Sequence, residues 1–209
     1  MRLIFLHGVG QGPDSWEKVI EAFPEDKVSC LELFDKGRLP KNLDILSQCL
    51  HEMIEDFEED TVVIGLSLGA MLALSLLEHP GTYLKGIVAC AGQYRFKHNI
   101  AYQFQVSLFR LFPKSFFKKH GIDKANVLSF YQGMANFDLT ETLKGSQVPC
   151  QLICGDRDKI NLKTSKELLA LMPHARLAIL PRTGHESNKE NPEGLAQTIA
   201  SFLQEIGSR

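Results

Sequence analysis

Apolar residues gather into six runs of strand length, at 2–6, 28–33, 61–65, 86–90, 149–154 and 176–180. The intervening stretches change period. Helical spacing of apolar positions marks 14–22, opening at Asp14 and Ser15 as N-cap residues, then 41–57 and 68–78, which stops before His79-Pro80-Gly81. Two more stretches follow the later strands, 162–171, ending before Pro173, and 192–206. Strands joined through helices call for a sheet covered on both faces. The pattern therefore predicts an α/β protein with a doubly wound, mostly parallel sheet of about six strands, in three αβα layers.

One connection breaks the alternation. Residues 92–147 separate two strands and are far longer than an ordinary loop, so they are expected to be an insertion with its own structure. This segment is rich in Phe and Tyr from Tyr94 to Phe137. It carries Arg95, Lys97, Arg110, Lys114, Lys118 and Lys119, with no acid between 92 and 120. Two readings stand: a helical cap roofing a substrate pocket, or an amphipathic hairpin packed on the sheet edge. The acidic stretch from Glu52 to Asp60 reads as the solvated end of a helix.

Composition narrows the options. The 209 residues carry a formal charge of -2, with 23 Lys+Arg against 25 Asp+Glu, so no global field favours nucleic acid or an anionic surface. No apolar run has the length of a membrane span, and the expectation is a soluble protein with no membrane insertion. Residues 1–6 are too short for a signal-peptide core and read as a first strand. The five cysteines form no Cys-x-x-Cys pair, which points to reduced thiols and a cytoplasmic location. Cys150 and Cys154 are expected on one strand face about 13 Å apart, too far for a shared metal or a disulfide.

The candidate chemistry centres on Gly65-Leu66-Ser67-Leu68-Gly69, where an apolar strand stops and a helical pattern begins. A serine on so tight a turn projects its hydroxyl, while flanking glycines let strand and helix approach. Ser67 is the candidate nucleophile, and it needs a base, an orienting acid and oxyanion donors. His185 follows the last strand in a turn-rich loop and is the candidate base. The preceding strand leads into Gly155-Asp156-Arg157-Asp158; Asp158 is preferred as the acid, and Asp156 as a turn residue bonding nearby backbone. The N–H of Leu68 and one from His7-Gly8-Val9-Gly10-Gln11-Gly12, with Val9 preferred, are the candidate oxyanion donors. His7 is expected to hold that loop or to line the pocket. No phosphate-binding glycine motif is present in that loop.

Four motifs in this order resemble the α/β-hydrolase fold: Phe5-Leu6-His7-Gly8 with Ser15-Trp16; Gly65 to Ala70; Gly155 to Asp158; and Gly184-His185 with Glu190-Asn191-Pro192-Glu193 and Phe202-Leu203. The resemblance spans nearly the whole chain. It implies a catalytic triad of Ser67, Asp158 and His185, oxyanion donors at Val9 and Leu68, and a shortened sheet that starts directly on the His-Gly strand. Serine at the elbow argues against the dehalogenase and epoxide hydrolase branches, which carry aspartate. The likeness to the menaquinone-pathway lyase branch is weakened, because Ala70 rather than an arginine follows the elbow. The expected activity is hydrolysis of an ester or thioester of a mostly apolar small molecule, with no metal and no cofactor. A carbon–carbon hydrolase or lyase, and a ligand receptor on the same fold, remain as alternatives. Oligomeric state is open.

Overall fold

The computed structural model describes residues 1–34, 43–96, 110–115 and 123–207. Six strands, β1 Arg2–Leu6, β2 Lys27–Leu31, β3 Thr61–Leu66, β4 Leu84–Cys90, β5 Cys150–Gly155 and β6 Ala175–Leu180, form one sheet in the order β2-β1-β3-β4-β5-β6. Every neighbouring pair is parallel. All strands therefore end on the same edge. Because β2 and β3 flank β1 on opposite sides, the chain reverses its winding there, opening a crevice at the carboxyl ends of β1 and β3.

Alternate side chains of each strand feed opposite layers, which is why the strands read as continuous apolar runs. Ile4, Leu6, Val63, Ile87 and Leu152 pack with helices α2 Leu43–Asp56, α3 Leu68–Ser75 and α6 Lys159–Leu171. On the other face Leu3, Phe5, Val62, Ile64, Val88 and Ile153 meet Trp16 and Val19, together with Leu195, Ile199 and Phe202 of α8 Pro192–Gly207. Trp16 is fully buried and stacks tilted on Phe5 at 5.1 Å. Each large apolar side chain so buried stabilises the fold by about 1.5–3 kcal/mol.

Element boundaries differ from the sequence pattern where side chains leave the ladder. The strand expected over 28–33 ends at Leu31, because the Leu33 N–H turns to His7 Nε2 at 3.1 Å instead of continuing the sheet. β4 begins two residues before 86, since Leu84 pairs with Thr61 in spite of the exposed Lys85 between them. The helix expected over 14–22 is a 3₁₀ turn, Pro13–Trp16, running into α1 Glu17–Ile20; there Ser15 Oγ donates to Gly12 O at 2.7 Å rather than capping the helix. Residues 41–42 of the helix expected over 41–57 lie outside the described residues.

Within the insertion, helices α4 Lys124–Gly133 and α5 Thr140–Gly145 are described, while 97–109 and 116–122 lie outside the described residues. Its two ends meet. Leu139 N donates to Tyr94 O at 2.9 Å and Phe96 N to Phe137 O at 2.8 Å, around an antiparallel bridge between Arg95 and Asp138. Tyr94, Phe96, Val127, Phe130 and Leu143 pack into the core layer of α2 and α3.

Cys150 and Cys154 pack into opposite layers, not the single face expected from strand alternation. At the end of β5 the chain turns, and Cys154 Sγ reaches Asp158 O at 3.8 Å. Burial pushes the Cys150 thiol up to about 12 and Cys154 to about 11, and raises Cys90 as well. Thiolate is the reactive form. In an aromatic-disulfide thiol assay, exposed Cys49 is expected to react at once and half-buried Cys30 slowly. Cys90, Cys150 and Cys154 are expected to react only after denaturant is added.

Candidate active site

Ser67 sits at φ 55 and ψ -109, outside the regions an L-residue ordinarily occupies. Its neighbours enforce this. A Cβ on Gly65 would lie 2.2 Å from Gly69 O, and one on Gly69 would lie 2.1 Å from Leu6 O, so only glycine lets α3 press against β3 and β1. Ser67 N donates to Cys90 O at 2.8 Å, tying the elbow to the end of β4. Strain of this kind costs on the order of 1–3 kcal/mol and persists only where the surroundings hold it. The turn presents Ser67 at the sheet's carboxyl edge, half-buried at the head of α3.

The other two strand ends supply a hydrogen-bonded pair. His185 Nδ1 lies 2.6 Å from Asp158 Oδ2, with Asp158 9% exposed and His185 45%. Asp158 caps α6 through the Asn161 N–H at 3.3 Å, and Asn161 Nδ2 reaches both carboxylate oxygens, at 2.9 and 2.7 Å. Burial opposes charge on Asp158, but the hydrogen bonds from His185 and Asn161 outweigh it and hold the carboxyl below its ordinary value. Beside an ionised Asp158, Nδ1 carries the proton and Nε2 keeps a free lone pair. Asp156 is elsewhere: its Oδ1 accepts from Thr183 N at 3.1 Å, and hydrogen bonds from the Arg182 and Thr183 backbone hold its carboxyl low.

The β1 loop closes the third side. Gly8 stands against the elbow, where a Cβ would lie 3.4 Å from Ser67 Cβ. His7, fully buried, holds this loop by donating from Nδ1 to Gly8 O at 2.9 Å, while its Nε2 accepts from the Leu33 N–H. Val9 and Leu68 flank this contact in sequence, one in the loop and one opening α3. Ser67, Leu68 and the β1 loop thus share one corner, while Asp158 and His185 touch each other. Among the described residues no hydrogen bond joins Ser67 to His185. Such bonds are often loose before substrate binds. The described residues include no group of three or more His, Cys, Asp or Glu placed to hold a metal ion.

Several supporting residues escaped the sequence pattern. Gln11 Nε2 donates to Glu186 Oε1 at 2.8 Å and Asn188 Nδ2 to Gln11 Oε1 at 3.1 Å, lacing the β1 loop to the His185 loop. The Gln11 hydrogen bond is the main cause that keeps the Glu186 carboxyl below its ordinary value. Glu190, in helix α7 Ser187–Glu190, accepts from Gly184 N at 2.7 Å and Glu186 N at 3.2 Å, bracketing the histidine. Two of the supporting residues left a signal: Glu190, within the fourth motif, and Asn161, as an amide three places after an N-cap aspartate.

A parallel sheet with a strained serine elbow at its switch point, and an acid and a histidine on later loops, defines a hydrolase-type α/β architecture. Residues 3–198 match the Alpha/beta hydrolase family, and the chain belongs to it. The "Uncharacterized hydrolase YugF" of Bacillus subtilis is 26% identical, the match covering 97% of this chain and 89% of the relative. The 2-succinyl-6-hydroxy-2,4-cyclohexadiene-1-carboxylate synthase of Klebsiella pneumoniae is 22% identical, covering 96% and 93%. Among solved structures, MenH from S. aureus superposes with a TM-score of 0.82 at 17% identity, covering 99% of this chain and 94% of that one.

Two outcomes are expected. Gly65→Ala places a Cβ 2.2 Å from a backbone oxygen. It should destabilise by about 3 kcal/mol or more, read as a drop in the urea midpoint. The second concerns acid. Because the folded Asp158 carboxyl lies below its ordinary value, its stabilisation is present above the unfolded value and lost as pH falls through the folded one. Asp158→Asn should therefore lower Tm near pH 7, with the gap to wild type closing below about pH 4.

Proposed function

We propose that the protein is a serine hydrolase cleaving a carboxylic ester or thioester of a mostly apolar small molecule. The observation that carries this is the 2.6 Å Asp158–His185 pair on the sheet edge that also presents Ser67 at positive φ. In this reading His185 Nε2 takes the Ser67 hydroxyl proton as Oγ attacks the carbonyl carbon. Negative charge gathers on the carbonyl oxygen, where the N–H groups of Val9 and Leu68 receive it. The tetrahedral species collapses to an acyl-Ser67, and His185 hands its proton to the departing alcohol or thiol. Water then enters, gives a proton to His185 and attacks the acyl carbon; the acid leaves and Oγ recovers the proton. Asp158 holds the Nδ1–H tautomer and offsets the imidazolium charge throughout.

The steps call on no metal or organic cofactor. In this reading the insertion over 92–147 serves as the cap. The partner is a small ester or thioester rather than nucleic acid, and the setting is cytoplasmic, supported by five free cysteines. No helix among the described residues is long and apolar enough to cross a membrane.

A second reading follows from the synthase name of the Klebsiella relative: the same three side chains acting on a carbon–carbon bond. A carboxylate substrate would find no cation on the elbow helix, since Leu68–Ser75 reads LGAMLALS. That favours the hydrolase reading. Labelling with a fluorophosphonate probe and turnover of p-nitrophenyl and coenzyme A esters test it. Wild type should label at Ser67, and Ser67→Ala should lose label and about 10³-fold or more of turnover. Turnover surviving in Ser67→Ala would overturn the assignment.

A further inference from the structure

We propose that Asn161 is a positioning residue for the Asp158–His185 pair and that Gln93, at the root of the insertion, fixes which way its amide points. This deepens the hydrolase reading and rests on it.

A carboxylate offers about four lone-pair positions, of which His185 occupies one. Asn161 fills others. Its Nδ2 donates to Oδ1 at 2.9 Å and to Oδ2 at 2.7 Å, and its backbone N–H to Oδ1 at 3.3 Å. Asn161 Nδ2 also approaches His185 Nδ1, at 3.2 Å. The two oxygens subtend too narrow an angle at Nδ2 for two separate N–H bonds, so one hydrogen is shared between them. His185 Nδ1 donates its own N–H to Asp158 Oδ2 at 2.6 Å, and its approach to Asn161 is a contact beside that bond.

An asparagine amide can flip, and here the flip has a defined penalty. Asn161 Oδ1 accepts from Gln93 Nε2 at 2.7 Å. Turned over, Oδ1 would face the Asp158 oxygens and Nδ2 would face the Gln93 NH₂, replacing hydrogen bonds with two like-to-like contacts. Gln93 Oε1 faces Thr164 Oγ1 at 3.3 Å, a hydroxyl that also lies 3.4 Å from Ile160 O. The line of contacts runs Gln93, Asn161, Asp158, His185. Gln93 stands just beyond Cys90, where the chain leaves β4 for the insertion, so the root of the cap and the base share one line of hydrogen bonds.

The charged and titratable groups around the pair sit on β5 and the loop after it, on α6, on the His185 loop with α7, and at the root of the insertion. Arg157 and Lys159 flank Asp158, and Cys154 closes β5 beneath it. Glu186, Lys189 and Glu190 follow His185. Glu167 lies farther along α6, with Arg95 and Tyr94. None of these is altered by Asn161→Asp, which keeps the size of the side chain, removes the donors and adds a negative charge.

Three proteins test the inference: wild type, Asn161→Asp and Gln93→Met. Two measurements are made on each, the downfield Nδ1–H proton resonance of His185 without substrate, and the pH profile of p-nitrophenyl acetate turnover. In Asn161→Asp the added charge favours imidazolium. The acid limb of kcat/KM is expected to move up by about one pH unit, and kcat to fall about tenfold with KM little changed. Gln93→Met should lose about 2- to 10-fold in kcat with the limb in place and the resonance broadened. A cooperatively melting Asn161→Asp with a wild-type limb and resonance overturns the proposal. Should that variant not fold, full activity and an unchanged resonance in Gln93→Met overturn it instead. Failure of wild type to label with fluorophosphonate removes the hydrolase reading, while the resonance still reports whether Asn161 controls the pair.

Discussion

Three places where backbone meets backbone, with no room for a Cβ, set the geometry of the whole carboxyl edge. At Gly65 the strand touches the elbow helix, at Gly69 that helix touches β1, and at Gly155 a Cβ would lie 2.1 Å from Thr183 O. The first two contacts bring the serine turn onto the β1 loop. The third brings the acid loop onto the histidine loop. Side chains reach across these seams only because the main chains already touch.

Once the loops abut, short polar side chains finish the assembly. Gln11 spans from the β1 loop to Glu186, Glu190 folds back on Gly184 and Glu186, and Asn161 clamps Asp158. These bonds lie at a half-wet edge, where single pairs contribute little and a connected set contributes more. The aspartates of the acid loop show the division of labour. Asp156 is spent on holding the Thr183 backbone, which leaves Asp158 for the imidazole.

How far the chain could be read from its letters follows from the same physics. A strand buried on both faces must be apolar at nearly every position, which marks the four inner strands, and the less covered edge strands β2 and β6 still keep apolar runs. The ends were less legible. Leu33 continues the apolar pattern, yet its N–H is taken by His7, and a lysine at 85 hid a pairing made by Leu84. α6 starts three residues earlier than its apolar spacing suggested, because Asp158 supplies the cap and capping leaves no periodic trace. Ser67, Asp158 and His185 stood out because turn-forming motifs surround them. Gln11 and Gln93 did not, since a glutamine in a loop has no pattern until its partner, 175 or 68 positions away, is brought near. The four-residue helix at Ser187 is too short to show a period at all.

The strand order carries a consequence for how the chain assembles. β2 joins one side of β1, β3 joins the other, and β4, β5 and β6 each add to the strand made before them. The sheet therefore grows only outward, and no strand has to be wedged between two neighbours already paired. Emerging from the ribosome, the chain can lay down its sheet in the order it is made, with the serine turn complete while the acid and the histidine are still unsynthesised. A product stopped after β4 would keep the elbow but leave that strand as an open, apolar rim, a template for sticking to other chains. Completing the last two strands thus does two things at once: it covers that rim, and it brings in the loops that carry the Asp158–His185 pair.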